Sequence, residues 1–120
     1  MRERPNAFDL VIVADTLIYF GPLEQVFYAV RTVLRPSGLF IFTVEESPLA
    51  DERYCIKPNG RFGHGRAYLE LLLPASGFDV LEILPAAIRI ELDQPVNGFV
   101  VAARISASRS GQAVPSQKTR

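Results

Sequence analysis

The side chains best suited to chemistry lie in two places, at the end of an apolar run and in a polar loop. Asp15 follows the apolar residues 10–14, and its carboxylate can accept hydrogen bonds from a ligand. The polar segment 45–68 contains the single histidine, His64, whose ordinary pKa near neutrality suits it to accept a proton. The same segment concentrates further polar side chains: Arg53, Tyr54, Lys57, Arg61, Arg66 and Tyr68. Long irregular segments of this kind more often carry function than merely connect elements.

Each of these residues also has a purely structural interpretation. Asp15 can simply cap the turn that follows the apolar run. His64 can be a loop residue that is hydrogen-bonded to backbone or to water. Both interpretations stay open at the level of the sequence. A metal centre is not expected, because one cysteine and one histidine do not make a zinc site unaided.

The first part of the chain reads as strand, helix and strand. Residues 10–14 are apolar at every position, which predicts a strand buried on both faces, as in parallel sheets. A helical face follows, ending near Pro36 and Gly38, and residues 39–44 predict a second strand. The apolar positions of the helix recur every three or four residues: Leu23, Val26, Phe27, Val30, Val33 and Leu34. Such a unit requires a parallel pair of strands with a right-handed crossover.

Parallel α/β sheets bind ligands beyond the carboxyl ends of their strands. In this unit those ends are residues 15–19 and 45–48. The segment 45–68 that follows the second strand is rich in Pro and Gly and predicts a loop, with one short strand at residues 53–56. We therefore expect any site to lie where this loop meets the end of the sheet.

The remainder predicts a second helix and a terminal hairpin. The helix covers residues 68–75 and should end or kink near Leu72, because Pro74 offers no donor and its ring clashes with a preceding carbonyl. Gly77 is placed to supply a left-handed cap. Strands are then predicted at three places, with an antiparallel hairpin formed by the last two: residues 78–84, 88–92 and 96–104.

Length and composition are those of one soluble domain. The chain has 120 residues, 48% of them apolar, with a formal net charge of zero, so bulk attraction to nucleic acid or to an anionic membrane is not expected. No stretch approaches the roughly 20 apolar residues of a membrane span, and the polar N-terminus does not predict a signal peptide. The lone Cys55 excludes an internal disulfide and favours a reducing cytoplasm. Residues 106–120 are polar and basic and predict a disordered tail.

Several segments together resemble the C-terminal half of class I S-adenosylmethionine-dependent methyltransferases. The resemblance is strongest to bacterial members that act on small molecules and are sometimes attached to TPR repeats. Its most specific part is Asp15 together with the Leu-Arg-Pro-Ser-Gly sequence, in which Ser37 stands where the family usually has glycine. The matching segments are FDLVIVAD at residues 8–15, YFGPL at 19–23, VLRPSGL at 33–39, GRFGH at 60–64 with Tyr68, and GFDV at 77–80.

The resemblance implies an α/β fold, a partial Rossmann-like methyltransferase sheet with two crossover helices. In the family, six strands are parallel and an antiparallel seventh is inserted beside the fifth. The chain would supply strands four to seven: residues 8–14, 39–44, 78–84 or beyond, and 97–104. The domain would cover residues 1–105, followed by the tail. Because both crossovers are right-handed and proceed in one direction, both helices should cover the same face and leave the other face bare.

The resemblance also assigns roles to particular residues. Ala14, Asp15 and Thr16 would face the cofactor, S-adenosylmethionine. Tyr19, Arg61 and Tyr68 would face the methyl acceptor. His64 would be the catalytic residue, as a general base or as a group that orients the acceptor. The acceptor itself, small molecule or protein, and the kind of atom methylated are not readable from the sequence.

Three features that hold the cofactor in this family have no match in the chain. These are the glycine-rich turn after strand one, the acid that ends strand two and the residue after strand three that reaches the adenine. Residues 60–65 contain glycines, but no strong strand precedes them, so they do not form a nucleotide-binding loop. We therefore expect an incomplete cofactor site, inactivity of the isolated chain, and either self-association or pairing with a complementary N-terminal half. The alternatives are a non-catalytic remnant or interaction module that uses the bare sheet face, and part of another α/β nucleotide enzyme.

Overall fold

A computed structural model describes residues 7–47, 53–58 and 60–106 of the chain. It contains six strands, two α-helices and one 3-10 turn. In chain order these are β1 (Phe8–Val13), the 3-10 turn (Leu17–Tyr19), α1 (Glu24–Val33), β2 (Leu34–Glu46), β3 (Tyr54–Ile56), β4 (Phe62–His64), α2 (Arg66–Ala75), β5 (Phe78–Glu91) and β6 (Gln94–Ile105).

All six strands form one sheet around β2. On one edge of β2 lies β6, which is antiparallel to it, and β5 then pairs with β6 as an antiparallel hairpin. On the other edge β1 runs parallel to residues 39–42 of β2, and β4 runs parallel to its last two residues. The path β1-β2-β6-β5 has the order and directions expected of strands four, five, seven and six, with β6 inserted beside β2. The predicted partial methyltransferase sheet is therefore confirmed.

One face of the sheet carries both helices and the core. Phe27 of α1 is fully buried, and its ring centroid lies 5.8 Å from that of Phe40 and 5.4 Å from that of Phe42, both on β2. Leu69 and Leu73 of α2 join the same cluster. Removing a buried phenylalanine ring from such a cluster costs about 3–5 kcal/mol. The prediction that both helices cover the same face is confirmed.

The opposite face of β1 is open in the part of the chain that the structure describes. Leu10 is 46% exposed and Ile12 is 62% exposed, whereas Val11 between them is buried. The prediction that residues 10–14 are buried on both faces is therefore wrong. A continuous apolar run is typical of a strand in a sheet that has helices on both faces. Leu10 and Ile12 stay exposed because no described helix covers this face.

The joint between α1 and β2 is tighter than the sequence pattern predicts. The helix ends at Val33, and β2 begins directly at Leu34, so Pro36 and Gly38 lie within the strand and not at the end of the helix. The backbone of Ser37 is left-handed, with φ at 65°. That conformation favours glycine, which explains why glycine is usual at this position in the family that the chain resembles.

The second helix runs through its proline. It begins at Arg66 and ends at Ala75, so the predicted end or kink near Leu72 is wrong. Pro74 lies in the last turn, and the backbone N–H of Ser76 still donates to the Leu72 carbonyl beyond it. Gly77 has a φ of 93°, which confirms the predicted left-handed cap.

Two strand predictions need correction. The segment 45–68 is not loop throughout, since residues 62–64 form β4 in addition to the predicted short strand β3. β5 is continuous from Phe78 to Glu91, and Pro85 does not interrupt it. As β5 is a terminal strand of the described sheet, a residue without an N–H donor is tolerated there.

The last described residue, Ser106, is held against the start of β5. Ser106 is buried, its backbone N–H donates to the Gly77 carbonyl, and its hydroxyl donates to Asp79 at 2.7 Å. The domain boundary at residue 105 stays a prediction. Residues 107–120, which hold the rest of the predicted disordered tail, and residues 48–52 lie outside the described residues.

Candidate functional site

The three residues predicted to face the cofactor, here called the cofactor wall, lie at the carboxyl end of β1: Ala14, Asp15 and Thr16. Ala14, Asp15 and Thr16 are all exposed there, directly after the strand ends at Val13. Asp15 has a left-handed φ of 57°, and its backbone N–H donates to the Thr43 hydroxyl of β2 at 3.2 Å. The Asp15 side chain is 63% exposed. These three residues therefore present a short, accessible surface with two polar side chains, Asp15 and Thr16, at the end of the sheet where α/β folds bind ligands.

A buried carboxylate organises the same edge of the sheet. Glu45, near the end of β2, is completely buried. It accepts hydrogen bonds from the Lys57 ammonium at 2.6 Å and from Arg61 Nε at 2.7 Å. The guanidinium of Arg89 lies 3.7 Å from the same carboxylate, through Nε. An ionised group is tolerated in such a position because cations surround it.

The pKa of Glu45 reflects two opposing effects. Burial by itself raises the pKa, because it disfavours the charged form. The hydrogen bonds and positive charges of Lys57 and Arg61 outweigh burial and lower the pKa below its ordinary value of 4.5. Glu45 is therefore ionised at neutral pH and does not serve as a proton donor.

The cations around Glu45 connect it to two covering segments. Lys57 and Arg61 belong to the turn between β3 and β4, and Arg61 also forms an ion pair with Glu91 at the tip of the β5–β6 hairpin. Arg89, near the same tip, donates to Asp15 at 3.0 Å. One buried carboxylate thus ties the β3–β4 turn and the hairpin tip to the ends of β1 and β2.

His64 lies inside the protein, next to this network in the fold. It sits on β4 and is completely buried, so its predicted position in a loop is wrong. Its Nε2 lies 2.9 Å from the carbonyl oxygen of Gly21, and since a carbonyl only accepts, Nε2 carries the proton. Nδ1 is buried and has no hydrogen-bond partner in the described part of the chain. The ring stacks on Tyr68, with centroids 6.4 Å apart and planes at 13°.

Tyr68, which stacks on His64, is hydrogen-bonded to residues at the start of α1. Its hydroxyl accepts a hydrogen bond from the backbone N–H of Leu23 at 3.0 Å and donates to Glu24 at 3.3 Å. Burial raises the pKa of Tyr68 above 10.0, which keeps the phenol neutral. Together His64 and Tyr68 hold the segment before α1 against β4 and α2.

Burial also determines what His64 can do chemically. It lowers the pKa of His64 below 6.5, although the backbone hydrogen bonds to Gly21 and Phe20 oppose the shift. The imidazole is therefore neutral at pH 7, as a general base must be. Its free lone pair is on Nδ1, which no solvent reaches. This geometry favours the structural interpretation of His64, and the catalytic role stays a prediction.

The residues predicted for the site separate into two groups. Asp15 and Tyr19 are accessible, and the side chain of Tyr19, the last residue of the 3-10 turn, is largely exposed. Arg61, His64 and Tyr68 are instead engaged within the protein, Arg61 with Glu45 and the other two with the segment before α1. Direct contact with an acceptor is therefore open to the first group without rearrangement.

Sequence reasoning missed Glu45 and Arg89. Glu45 was placed only within the predicted strand end at residues 45–48, and Arg89 only within the predicted strand at residues 88–92. One signal was present, because Glu45 and Glu46 are two consecutive acids that end an apolar strand, and the next turn carries Lys57 and Arg61. The pairing of Arg89 across 74 residues with Asp15 had no local signal.

The described residues contain no group of three or more His, Cys, Asp or Glu side chains that could hold a metal ion. Within the same residues, neither helix is long and apolar enough to cross a membrane.

Known proteins match this chain in structure but not in sequence. Neither an established protein family nor a curated protein sequence matches the chain. Solved structures do match, among them a SAM-dependent methyltransferase from Methanosarcina mazei, with a TM-score of 0.67 at 15% identity over 86% of this chain and 61% of that one. A second is the 1,6-didemethyltoxoflavin-N1-methyltransferase of Burkholderia thailandensis with bound S-adenosylhomocysteine, with a TM-score of 0.67 at 21% identity over 85% and 45%. A third is the cyclase SpnF, with a TM-score of 0.64 at 16% identity over 86% and 51%.

These matches define the class of fold. The chain has the fold of class I S-adenosylmethionine-dependent methyltransferases, as the strand order and the matched structures both show. It spans 61% of the length of the first of them and 45% of the second. Because one fold hosts unrelated activities, as the cyclase illustrates, the likeness defines the fold alone.

Proposed function

We propose that this chain is the C-terminal portion of an S-adenosylmethionine-dependent methyltransferase. The observation that carries the proposal is the antiparallel strand β6 inserted between β2 and β5, in a sheet that superimposes on methyltransferases with a TM-score of 0.67. The reaction is transfer of a methyl group to an acceptor nucleophile. The resemblance to bacterial members that are sometimes attached to TPR repeats stays a prediction.

The cofactor side of the proposed site is formed by Ala14, Asp15 and Thr16. Their exposure at the carboxyl end of β1 supports this role, since a ligand reaches them without rearrangement of the core. S-adenosylmethionine supplies an electrophilic methyl group when it is bound. The Asp15 carboxylate is available to it, because an ion pair as exposed as that with Arg89 contributes only about 0–1 kcal/mol.

The acceptor side combines one direct contact with several supporting residues. Tyr19 is exposed beside the cofactor wall, which supports a direct contact with the acceptor. Arg61 and Tyr68 are proposed to shape this side by fixing the β3–β4 turn and the segment before α1. His64 is proposed to position the same segment through its bond to Gly21.

The isolated chain is expected to bind S-adenosylmethionine weakly and to transfer no methyl group. The residues present offer one wall of the site, and the glycine-rich turn and ribose acid of the family have no match in the sequence. Calorimetry on the 120-residue chain should therefore show a dissociation constant weaker than about 100 μM. Joining the chain to the coding region directly upstream should restore both binding and transfer, and Asp15→Ala should then lower both together.

Asp9→Ala is the matched control for that experiment. Asp9 is an exposed acid on the same strand, but it lies at the amino end and pairs with Arg35. Its replacement should leave cofactor affinity unchanged. Micromolar affinity of the isolated chain would contradict the incomplete site, and equal effects of the two substitutions would contradict the placement of the cofactor.

The proposed partner is a complementary N-terminal half or, in its absence, a second copy of the chain. Leu10 and Ile12 expose an apolar surface next to a strand edge that no described residue pairs, and such edges are templates for association. We expect sedimentation of the chain at tens of micromolar to show dimers or larger species. Ile12→Glu should shift the population to monomer, whereas Tyr28→Glu on the exposed side of α1 should not. A clean monomer for the unmodified chain would refute this expectation.

The exposed apolar face also supports the second candidate function, a non-catalytic interaction module. The two functions differ in the coding region upstream, since only the methyltransferase requires an in-frame strand, glycine-rich turn and helix there. A cytoplasmic location is proposed for either function, on the single cysteine and the absence of any disulfide it could form within the chain.

A further inference from the structure

A cleft of about 410 Å³ opens at the carboxyl end of β2, beside the buried network. The β2–β6 ladder closes with the pair Glu45 and Gly98, so Glu46 and Asn97 are the first residues beyond it on the two strands. Pro95 and Val96 supply an apolar side. The full lining is Glu46, Ser47, Lys57, Pro95, Val96 and Asn97.

Some polar side chains of this cleft already have hydrogen-bond partners within the protein, and others do not. The Lys57 ammonium is held by Glu45 at 2.6 Å, and the Ser47 hydroxyl lies 3.3 Å from the Cys55 sulfur. The carboxylate of Glu46 has no ion pair or hydrogen bond within the described residues, and neither has the side-chain amide of Asn97. A carboxylate and an amide oxygen are thus the free acceptors of the cleft.

The surrounding charges leave the Glu46 carboxylate uncompensated. Three cations at this edge are matched by three acids with which they form ion pairs: Lys57, Arg61 and Arg89 by Glu45, Glu91 and Asp15. Glu46 is an additional negative charge in the same neighbourhood. Among the side chains that line the cleft, Glu46 is therefore the charged group without an ion-pair partner in the described residues, which favours a positive group at its carboxylate.

We propose that this cleft binds the amino or amidino group of a small ligand. Glu46 and the amide oxygen of Asn97 accept its hydrogen bonds, and Pro95 and Val96 pack against its apolar part. A volume of about 410 Å³ lies at the lower end of the range for small-molecule pockets, which matches a compact ligand. Amine binding at this cleft is independent of the proposed methyl transfer, whose acceptor side was assigned to residues outside the lining of the cleft.

The test is a titration of the ¹⁵N-labelled full chain by NMR with three compounds that share one ring: benzylamine, benzyl alcohol and benzoate. Benzylamine should shift the amide signals of Ser47, Lys57, Val96 and Asn97, with a dissociation constant on the order of 1 mM. Benzyl alcohol should bind about 10-fold more weakly and benzoate not at all, because only the ammonium compensates Glu46.

Two substitutions test the assignment within the cleft. Glu46→Gln should weaken benzylamine binding about 10-fold, and Asn97→Asp should strengthen it. Glu82→Gln is the matched control, since Glu82 is an exposed acid on β5 outside the cleft and should leave binding unchanged. Absence of benzylamine binding, equal binding of benzoate, or equal effects of Glu46→Gln and Glu82→Gln would each overturn the proposal. Because the titration contains no cofactor, its failure is distinguishable from failure of the proposed methyl transfer.

Discussion

Replacement of Glu45 by glutamine is expected to destabilise the chain by about 3–5 kcal/mol at pH 7, the cost of breaking a buried ion pair by removing one partner. Glutamine keeps the shape of the side chain but removes the charge that Lys57 and Arg61 approach to within 2.7 Å. Both cations have little solvent to replace that charge. Urea unfolding followed by circular dichroism measures the loss of unfolding free energy. A variant that is already unfolded in buffer would also demonstrate a loss of stability.

The effect of Glu45 should depend on pH in a defined direction. The pKa of Glu45 is lowered in the folded chain, so the folded state favours the ionised form more strongly than the unfolded state does. Its contribution is complete above the ordinary value of 4.5 and is lost as the pH falls through the lowered folded pKa. The difference in unfolding free energy between the unmodified chain and Glu45→Gln should therefore shrink in acid.

Glu46→Gln is the matched control, because it is the adjacent residue on the same strand and its side chain is exposed. Its cost should stay within about 0.5 kcal/mol, the range for surface substitutions. Equal losses for the two variants, or a Glu45→Gln loss that persists unchanged in acid, would contradict the role of Glu45 as the ionised anchor of the β3–β4 turn and the hairpin tip.

Replacement of His64 by alanine is expected to cost about 2–4 kcal/mol at pH 7, because it opens a cavity and leaves the Gly21 carbonyl without its donor. The pKa of His64 is lowered by burial, so the folded chain resists protonation. Below about pH 6.5 the unfolded chain binds a proton that the folded chain does not, and stability should fall by up to about 1.4 kcal/mol per pH unit. In the alanine variant this slope should disappear.

The chain is well suited to that measurement, because His64 is its single histidine. A slope in unfolding free energy between pH 5.5 and pH 6.5 therefore belongs to one side chain, and the imidazole resonance reports its pKa directly by NMR. Tyr28→Ala, which removes an exposed aromatic side chain from α1, should keep the slope. A His64 pKa at or above 6.5 would contradict the buried, neutral state.

The same variant distinguishes a positioning residue from a general base once activity is restored by an upstream half. A general base would cost about 10²–10⁴-fold in turnover, with a loss that follows the titration of His64. A positioning residue instead costs turnover in proportion to the lost stability, with an unchanged pH profile for the protein that remains folded. We expect the second result, because Nδ1 is enclosed and Nε2 is already bonded to Gly21.

The sequence by itself determined the elements whose signals are local. The period of the apolar residues located α1, the left-handed position of Gly77 followed from its place after a helix, and the short turn near Asp93 predicted the β5–β6 hairpin. Asp15 was correctly placed at the carboxyl end of a strand. These features depend on neighbouring residues, so their physical cause is present within a few positions of the chain.

The tertiary structure alone decided which of the candidate side chains are free to act. His64 became a buried residue because β4 pairs with the end of β2, and Glu45 became an anchor because cations from two distant segments converge on it. β1 is buried on one face only, whereas the sequence predicted burial on both faces. This outcome likewise depends on which helices cover the sheet. Such outcomes are set by contacts between residues tens of positions apart, and the energy of a charge or an apolar surface depends on what those contacts leave exposed to water.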